Sequence, residues 1–241
     1  MAEHGVSALQ ALFRGEVDLV QSAPSQAFSS AQKGEKPPAL HFAQINNTDG
    51  FFIVGRTPES DFTIKNLRGH RVIVDHGGQP LHMFNYACQK AGLQLEEFEA
   101  IDAGSADEMA AAFRRGEGDY VHLQGPAPQQ LEAEGSGVVV GRVGDWVGRC
   151  AFSSLASRSD WLESDTAPSF MRAFRRARQW VNKAPATEVA ASETSYFPDT
   201  PVEVLAETIG AYQALGCWSG QVEICLLYTS PSPRDGLRAR M

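Results

Sequence analysis

The chain has 241 residues, 43% hydrophobic and 21% charged, enough for one large domain or two small ones with buried cores. Its formal net charge is −8 and no cluster of Lys and Arg stands out, which argues against nucleic acid as a partner. The sequence holds no apolar run of about 18 residues, the length of a membrane span, and the opening "MAEHGVSALQALF" lacks the basic start and apolar core of a signal peptide.

The first predicted element is a helix over 7–14. Ser7 and Gln10 stand at capping-box spacing, Leu9, Leu12 and Phe13 make the apolar stripe, and Gly15 caps the end. "EVDLVQSA" reads as a short strand, and Ser25 opens a helix that "GEKPP" breaks. "ALHFAQI" and "FFIVGR" are strands joined by the polar turn "NNTDG". "RVIVDHGGQP" is a buried strand entering a glycine loop, followed by a helix from Leu81 to Ala91 with Gly92 as its cap. After the mixed strand "QLEEFEAID", Ser105 and Glu108 box a helix that stops at "RRG". "DYVHL", "GVVVGRVG" and the start of "FSSLASRSDWL" are further strands. In "APSFMRAFRRARQWVNKAP", Phe170, Phe174, Ala177 and Val181 share one helix face with Trp180 beside it. In the last helix Thr200 caps, Pro201 takes the first helical position, and Val202, Leu205, Ile209 and Tyr212 form the stripe. Strands alternating with helices from Ala11 to Val140 predict an α/β class with mostly parallel sheet and about seven strands.

One phrase is written twice. "ALFRGEVDLVQSAP" begins at Ala11 and "AAFRRGEGDYVHLQGP" at Ala111. Each runs from a helix end through Gly-Glu-any-Asp into an apolar strand and a Pro. Two such units would each carry a strand to a small-residue loop that opens the next helix. Ligands of open α/β sheets sit beyond the carboxyl ends of strands, where helix-start N–H groups hold anionic or polar atoms. Read without that inference, the two phrases are glycine-capped helices with solvated acids.

The ordered set "LFRGEVDLVQSAPSQA", "LRGHRVIVDHGGQPLHMF", "AFRRGEGDYVHLQGPAPQQLEAEGSGVVV", "FMRAFRRARQWV" and "SYFPDTPVEVLAETIGAYQALGCW" resembles the substrate-binding proteins of ABC importers for sulfonates, taurine, nitrate and thiamine-pyrimidine precursors. The resemblance covers roughly Ser7 to Trp218. It implies a two-lobed periplasmic-binding fold of the second type with a hinge and a central cleft, truncated at both ends. Residues 1–55 and 146–224 would form an incomplete lobe one and 56–145 lobe two, with hinge crossings near Phe52 to Arg56 and Val140 to Trp146. By carry-over, the ligand would meet Ser22, Ala23, Pro24, Asn47, Thr48, Asp49, His76, Gly77, Gly78, Gln79, Gln124, Gly125, Pro126 and Trp146. The implied protein is a periplasmic or extracytoplasmic monomer that takes a small molecule without a cofactor and delivers it to ABC permease subunits. "CLLYTSPSPRD" resembles translated sequencing-adapter read-through, so 225–241 are expected to be a non-native or disordered tail.

Competing chemistries find less support in the residues. Cys88, Cys150, Cys217 and Cys225 are scattered without a CxxC, Cys88 reads as a buried helix residue, and no two histidines have metal-ligand spacing. Ser153 and Ser154 lack a G-x-S-x-G setting. Asp18 and Asp119 sit at strand starts, away from the ligand ends. His122 reads as a strand residue, and Trp146 either stacks on a ligand or packs in the core. An enzyme of thiamine-pyrimidine or menaquinone-type biosynthesis on the same fold, and a sensor module, are the alternative functions.

Overall fold

The computed structural model describes residues 8–25, 34, 39–75 and 77–224. The Ser7 cap, the helix expected after Ser25, His76, Cys225 and the 225–241 tail lie outside the described residues. Two compact units divide the chain: unit 1 holds 1–47, 151–180 and 218–241, and unit 2 holds 48–150 and 181–217.

Unit 1 is built on a three-stranded sheet in the order β1-β8-β2, where β1 is Leu19–Ser22, β2 is Leu40–Thr48 and β8 is Arg149–Ser157. β1 and β8 are antiparallel, with Ser22 opposite Ser154. Helix α1 (Ala8–Phe13) buries Leu12 against Val20, Ala39 and Ala156.

Unit 2 carries a five-stranded sheet in the order β5-β4-β6-β3-β7. Its strands are β3 (Phe51–Gly55), β4 (Arg71–Val74), β5 (Glu99–Asp102), β6 (Tyr120–Gln124) and β7 (Val138–Arg142). β4 is parallel to both β5 and β6, whereas β3 is antiparallel to both β6 and β7. The mostly parallel sheet predicted by the sequence is therefore mixed. Every residue of β3 is buried, which explains its unbroken apolar run "FFIVG": an interior strand covers both faces. β3 also moves the division of the chain. The sequence places a boundary after residue 55 and hinge crossings near 52–56 and 140–146. The chain divides at 47/48, 150/151, 180/181 and 217/218 instead. The reason is that β3 is hydrogen-bonded between β6 and β7.

Helix α2 (Gly78–Ala91) starts three residues earlier than predicted and ends on left-handed Gly92, with φ of 76°. Helix α3 (Ala106–Arg114) has the predicted capping box. Ser105 N–H donates to Glu108 Oε2 at 2.7 Å, and Glu108 N–H donates to Ser105 Oγ at 3.4 Å. Ser105→Ala is expected to lower stability by about 1 kcal/mol in urea denaturation. Helix α4 (Ala127–Ala133) follows β6, and α5 (Val143–Val147) follows β7. α3 and α4 supply Met109, Phe113 and Leu131 to the core formed with Val54, Ile73 and Val121.

After the short α6 (Ser159–Leu162) comes α7 (Thr166–Lys183). Its predicted stripe is only half-buried at Phe170 and Phe174, while Ala177 and Trp180 are exposed. The buried side chains of α7 are Ala167 and Arg178. Helix α8 (Ala186–Glu193) packs on α9 (Val202–Leu215). Pro201 is the cap of α9 rather than its first residue, and Val202 is exposed. The buried face uses Val204, Leu205, Thr208 and Ile209.

The repeated phrase folds the same way twice, once in each unit. Gly15 and Gly116 are left-handed, with φ of 71° and 84°. The next residues, Glu16 and Glu117, donate their N–H back to Ala11 and Ala112 at 3.0 and 3.1 Å. These bonds span six residues and satisfy the carbonyls left over at a helix end. Both strand-start acids meet an arginine: Asp18 pairs with Arg158 at 3.3 Å, Asp119 with Arg71 at 3.2 Å. The carbonyl before each acid accepts from a guanidinium as well, Val17 from Arg158 at 3.1 Å and Gly118 from Arg56 at 3.0 Å. The repeat is a structural joint at the start of each strand, at the opposite end from the loops that the sequence reading offers to a ligand.

Candidate functional site

Strand register gathers the predicted loops of unit 2 at one end of its sheet. β4 and β6 are parallel, so the residues after Val74 and after Gln124 emerge together. β3 is antiparallel to β6 with Phe51 opposite Gln124, which brings Thr48 and Asp49 to that same end. Phe52 lies opposite Arg142, so β7 also finishes there. The end thus collects Thr48, Asp49, Gly77, Gly78, Gln79, Gln124, Gly125 and Pro126, and α2 points its first turn at it with no acidic residue in that turn. A helix start of this kind offers free N–H groups and a positive dipole end to a negative atom. His76, which shares the α2 loop in sequence, is not among the described residues.

The loops are fixed from below. Thr48 Oγ1 donates to the carbonyl of Gly148 at 3.0 Å. Gly144 has no room for a side chain, because a Cβ there would strike the Asp49 carbonyl and Thr48 Oγ1. Gly125 is confined in the same way by Thr208, by Gln129 and by the Tyr212 hydroxyl, which also lies against the Gln124 side chain. Asp49 is fully buried. Its Oδ1 accepts the Phe51 N–H at 2.7 Å, while its Oδ2 is buried without a partner among the described residues. Burial pushes its carboxyl up to about 7, against the opposing pull of the Phe51 bond. Cys150 and Cys217 lie near it, and burial pushes both thiols up to about 12.

Two predicted residues have other employment. Trp146 packs on Phe62 with ring centroids 5.9 Å apart and lies over Gly141, where a Cβ would sit 2.5 Å from the indole. Its ring borders an open groove with Phe62, Arg142 and Asp145 beside β7. Asn47, at the end of unit 1's portion of β2, donates Nδ2 to the Ser219 carbonyl at 2.6 Å and so ties down the 218–219 segment.

In unit 1, Ser22 is buried while Ala23 and Pro24 are half-buried, at the end of β1. Beside them stands a Ser–His pair that the sequence does not reveal: Ser154 Oγ and His41 Nδ1 are 2.6 Å apart. Its wiring opposes nucleophilic catalysis. Ser154 Oγ donates its proton to the Ser22 carbonyl at 3.1 Å, so His41 serves it as donor and not as base. Ser154 is also fully buried, and burial lowers the His41 pKa. The neighbouring Ser153 Oγ is buried without a partner.

The sequence reading of His122 as a strand residue understates its isolation. It is fully buried between the rings of Phe51 and Phe84, with centroids at 4.7 and 4.9 Å, and both nitrogens lack partners among the described residues. Desolvation alone pushes it down to about 3. Among the described residues no group of His, Cys, Asp or Glu could hold a metal ion, and no helix is long and apolar enough to cross a membrane.

The profile of the NMT1/THI5 like family matches residues 1–188. YtlA of Bacillus subtilis, described as a binding protein, is 29% identical over 185 residues, which are 75% of this chain and 55% of YtlA. The chain thus spans about half the length of that relative. The periplasmic aliphatic sulphonate binding protein SsuA from Escherichia coli superposes with a TM-score of 0.65 at 16% identity, covering 84% of this chain and 68% of SsuA. The periplasmic nitrate-binding protein NrtA from Synechocystis PCC 6803 gives 0.59 at 17% identity, covering 83% and 58%. The α/β fold with two sheets is a periplasmic-binding fold.

Proposed function

Because the chain belongs to the NMT1/THI5-like family, we propose that it is the solute-binding component of an ABC import system and that its solute is a small anion of the sulfonate or nitrate type. The observation that carries this reading is the meeting of Thr48–Asp49, Gly77–Gln79 and Gln124–Pro126 at one end of unit 2's sheet, with the start of α2 aimed at it. Backbone N–H groups and a helix dipole favour a negative atom without a cationic side chain. A group of this kind captures and releases, so no covalent step is needed. The relatives named above that carry a function are binding proteins. The protein would work outside the cytoplasm as a monomer, passing its solute to permease subunits.

Thermal-shift measurements with ethanesulfonate, taurine, nitrate and a hydroxymethyl pyrimidine test the reading. A solute at a hundred times its Kd adds about 2.7 kcal/mol and raises Tm by roughly 5–10 °C. An anion is expected to do this and to be recovered unchanged. A shift by the pyrimidine alone would overturn the anion class. Product formation from any of the four would overturn the binding role in favour of an enzyme on this fold.

A further inference from the structure

Asp49 sits at the turn between β2 and β3, under the loops assigned above to the solute. Its side chain is enclosed and half-satisfied: one oxygen takes the Phe51 N–H, and among the described residues the other takes nothing. A buried carboxylate oxygen without a partner costs far more than a neutral carboxyl, and a purely structural turn would serve as well with Asn. The groups around it do not neutralise its charge. Cys150 at the start of β8, Cys217 after α9 and the Tyr212 hydroxyl on α9 all keep their protons, since burial raises each of them. The cation that acts on Cys217, Arg142 at the end of β7, is held by Asp145 at 2.7 Å. Among the described residues no Lys, Arg or His forms an ion pair with Asp49.

We propose that Asp49 is a proton-exchanging gate: protonated, it admits an anion to the loops at this end of unit 2, and ionised, it repels one. The proposal rests on the reading of the solute as an anion. An anion that settles on these loops adds negative charge beside a carboxyl already short of partners, so binding draws a proton onto Asp49 from solvent. The carboxyl's displacement toward neutrality makes this exchange available near physiological pH.

The test is calorimetry of the full chain with ethanesulfonate and with nitrate between pH 5.5 and 8.5, in buffers of different ionisation enthalpy. The expected result is uptake of up to one proton per anion above neutrality, and an affinity that falls about tenfold per pH unit above 7. Asp49→Asn is expected to bind with no proton uptake and a flat profile. Carbon-detected NMR titration of the Asp carboxyls in the unaltered chain is read in parallel and does not depend on the variant folding. A midpoint for Asp49 below pH 5 overturns the gate. Binding with pH-independent affinity overturns the gate alone, as does Asp49→Asn retaining the wild-type profile. Failure of both anions to bind at every pH overturns the solute class and the gate together.

Discussion

Arg178→Met is expected to lower the unfolding free energy by about 3–5 kcal/mol, a large effect for a single side chain. Arg178 is 6% exposed. Its Nε donates to the Trp218 carbonyl at 2.8 Å, Nη1 to the carbonyls of Gln44 and Ile45, and Nη2 to the Ser219 carbonyl at 3.0 Å. One planar fork thereby joins α7, β2 and the 218–219 segment. Met fills a similar volume but takes a donor away from four carbonyl oxygens; the Ser219 carbonyl keeps its bond from Asn47 at 2.6 Å, and each buried acceptor that the change does leave unpaired costs about 1–3 kcal/mol. Arg178→Lys keeps the charge but replaces the fork by a point, so it is expected to recover less than half of the loss. Urea denaturation of the three proteins decides the matter, and a loss under about 1 kcal/mol for Met would show that the fork is dispensable.

The second large effect is a pair of opposed pH dependences. Asp49 in the folded chain holds its proton up to about pH 7, whereas unfolding returns it to its ordinary 3.8. Between those values the folded state binds more protons, so this residue makes stability fall as pH rises from about 4 to 7. His122 stays neutral in the fold down to about 3, whereas unfolding returns it to 6.5. Here the unfolded state binds more protons, so stability falls as pH drops from 6.5 toward 3. Across the shared window, from about 4 to 6.5, the two slopes oppose, each reaching at most about 1.4 kcal/mol per pH unit. Removing either group uncovers the other. His122→Phe, which suits a slot between two phenyl rings, should become less stable as pH rises from 4.5 to 6.5. Asp49→Asn should become more stable over the same range. Contributions from all other groups cancel in the comparison of the two variants, so parallel curves from urea midpoints at pH 4.5, 5.5 and 6.5 would refute the assignment.

Much of this architecture is legible in the residues because it is set at short range. The Ser105–Glu108 box, the glycine stops at Gly92 and Gly116, and the strands "RVIV" and "YVHLQ" each depend on fewer than about ten neighbours, as caps and alternation do. Strand direction does not. "FFIVG" announces a buried strand, yet nothing in it says that β3 runs against β6 and β7, and that one fact moves the chain's division from 55 to 47. Arg178 is hidden for a related reason: the stripe through Phe170, Phe174 and Ala177 is a good amphipathic pattern, and only the carbonyls of β2 show why a charged residue is one of the two buried on α7. At the candidate site, the strand–loop–helix spelling points to Gln124–Pro126, while Gly77–Gln79 are nominated by the family resemblance. The employment of Asn47 by Ser219 and of Trp146 by Phe62 depends on partners far along the chain, as does the Ser154–His41 pair.

The division of each unit into separated stretches of sequence has a consequence for how the protein is made. The ribosome delivers β1 early, but its partner β8 arrives more than a hundred residues later: the Ser22 carbonyl waits 132 residues for Ser154. Two of the four carbonyls that Arg178 grips, those of Trp218 and Ser219, come later still. By contrast, the five strands of the larger sheet lie between residues 51 and 142 and can assemble as soon as that span has left the tunnel. During translation β1 is therefore made well before β8, the strand it is hydrogen-bonded to, whereas the five strands of the larger sheet are all made once residue 142 has emerged.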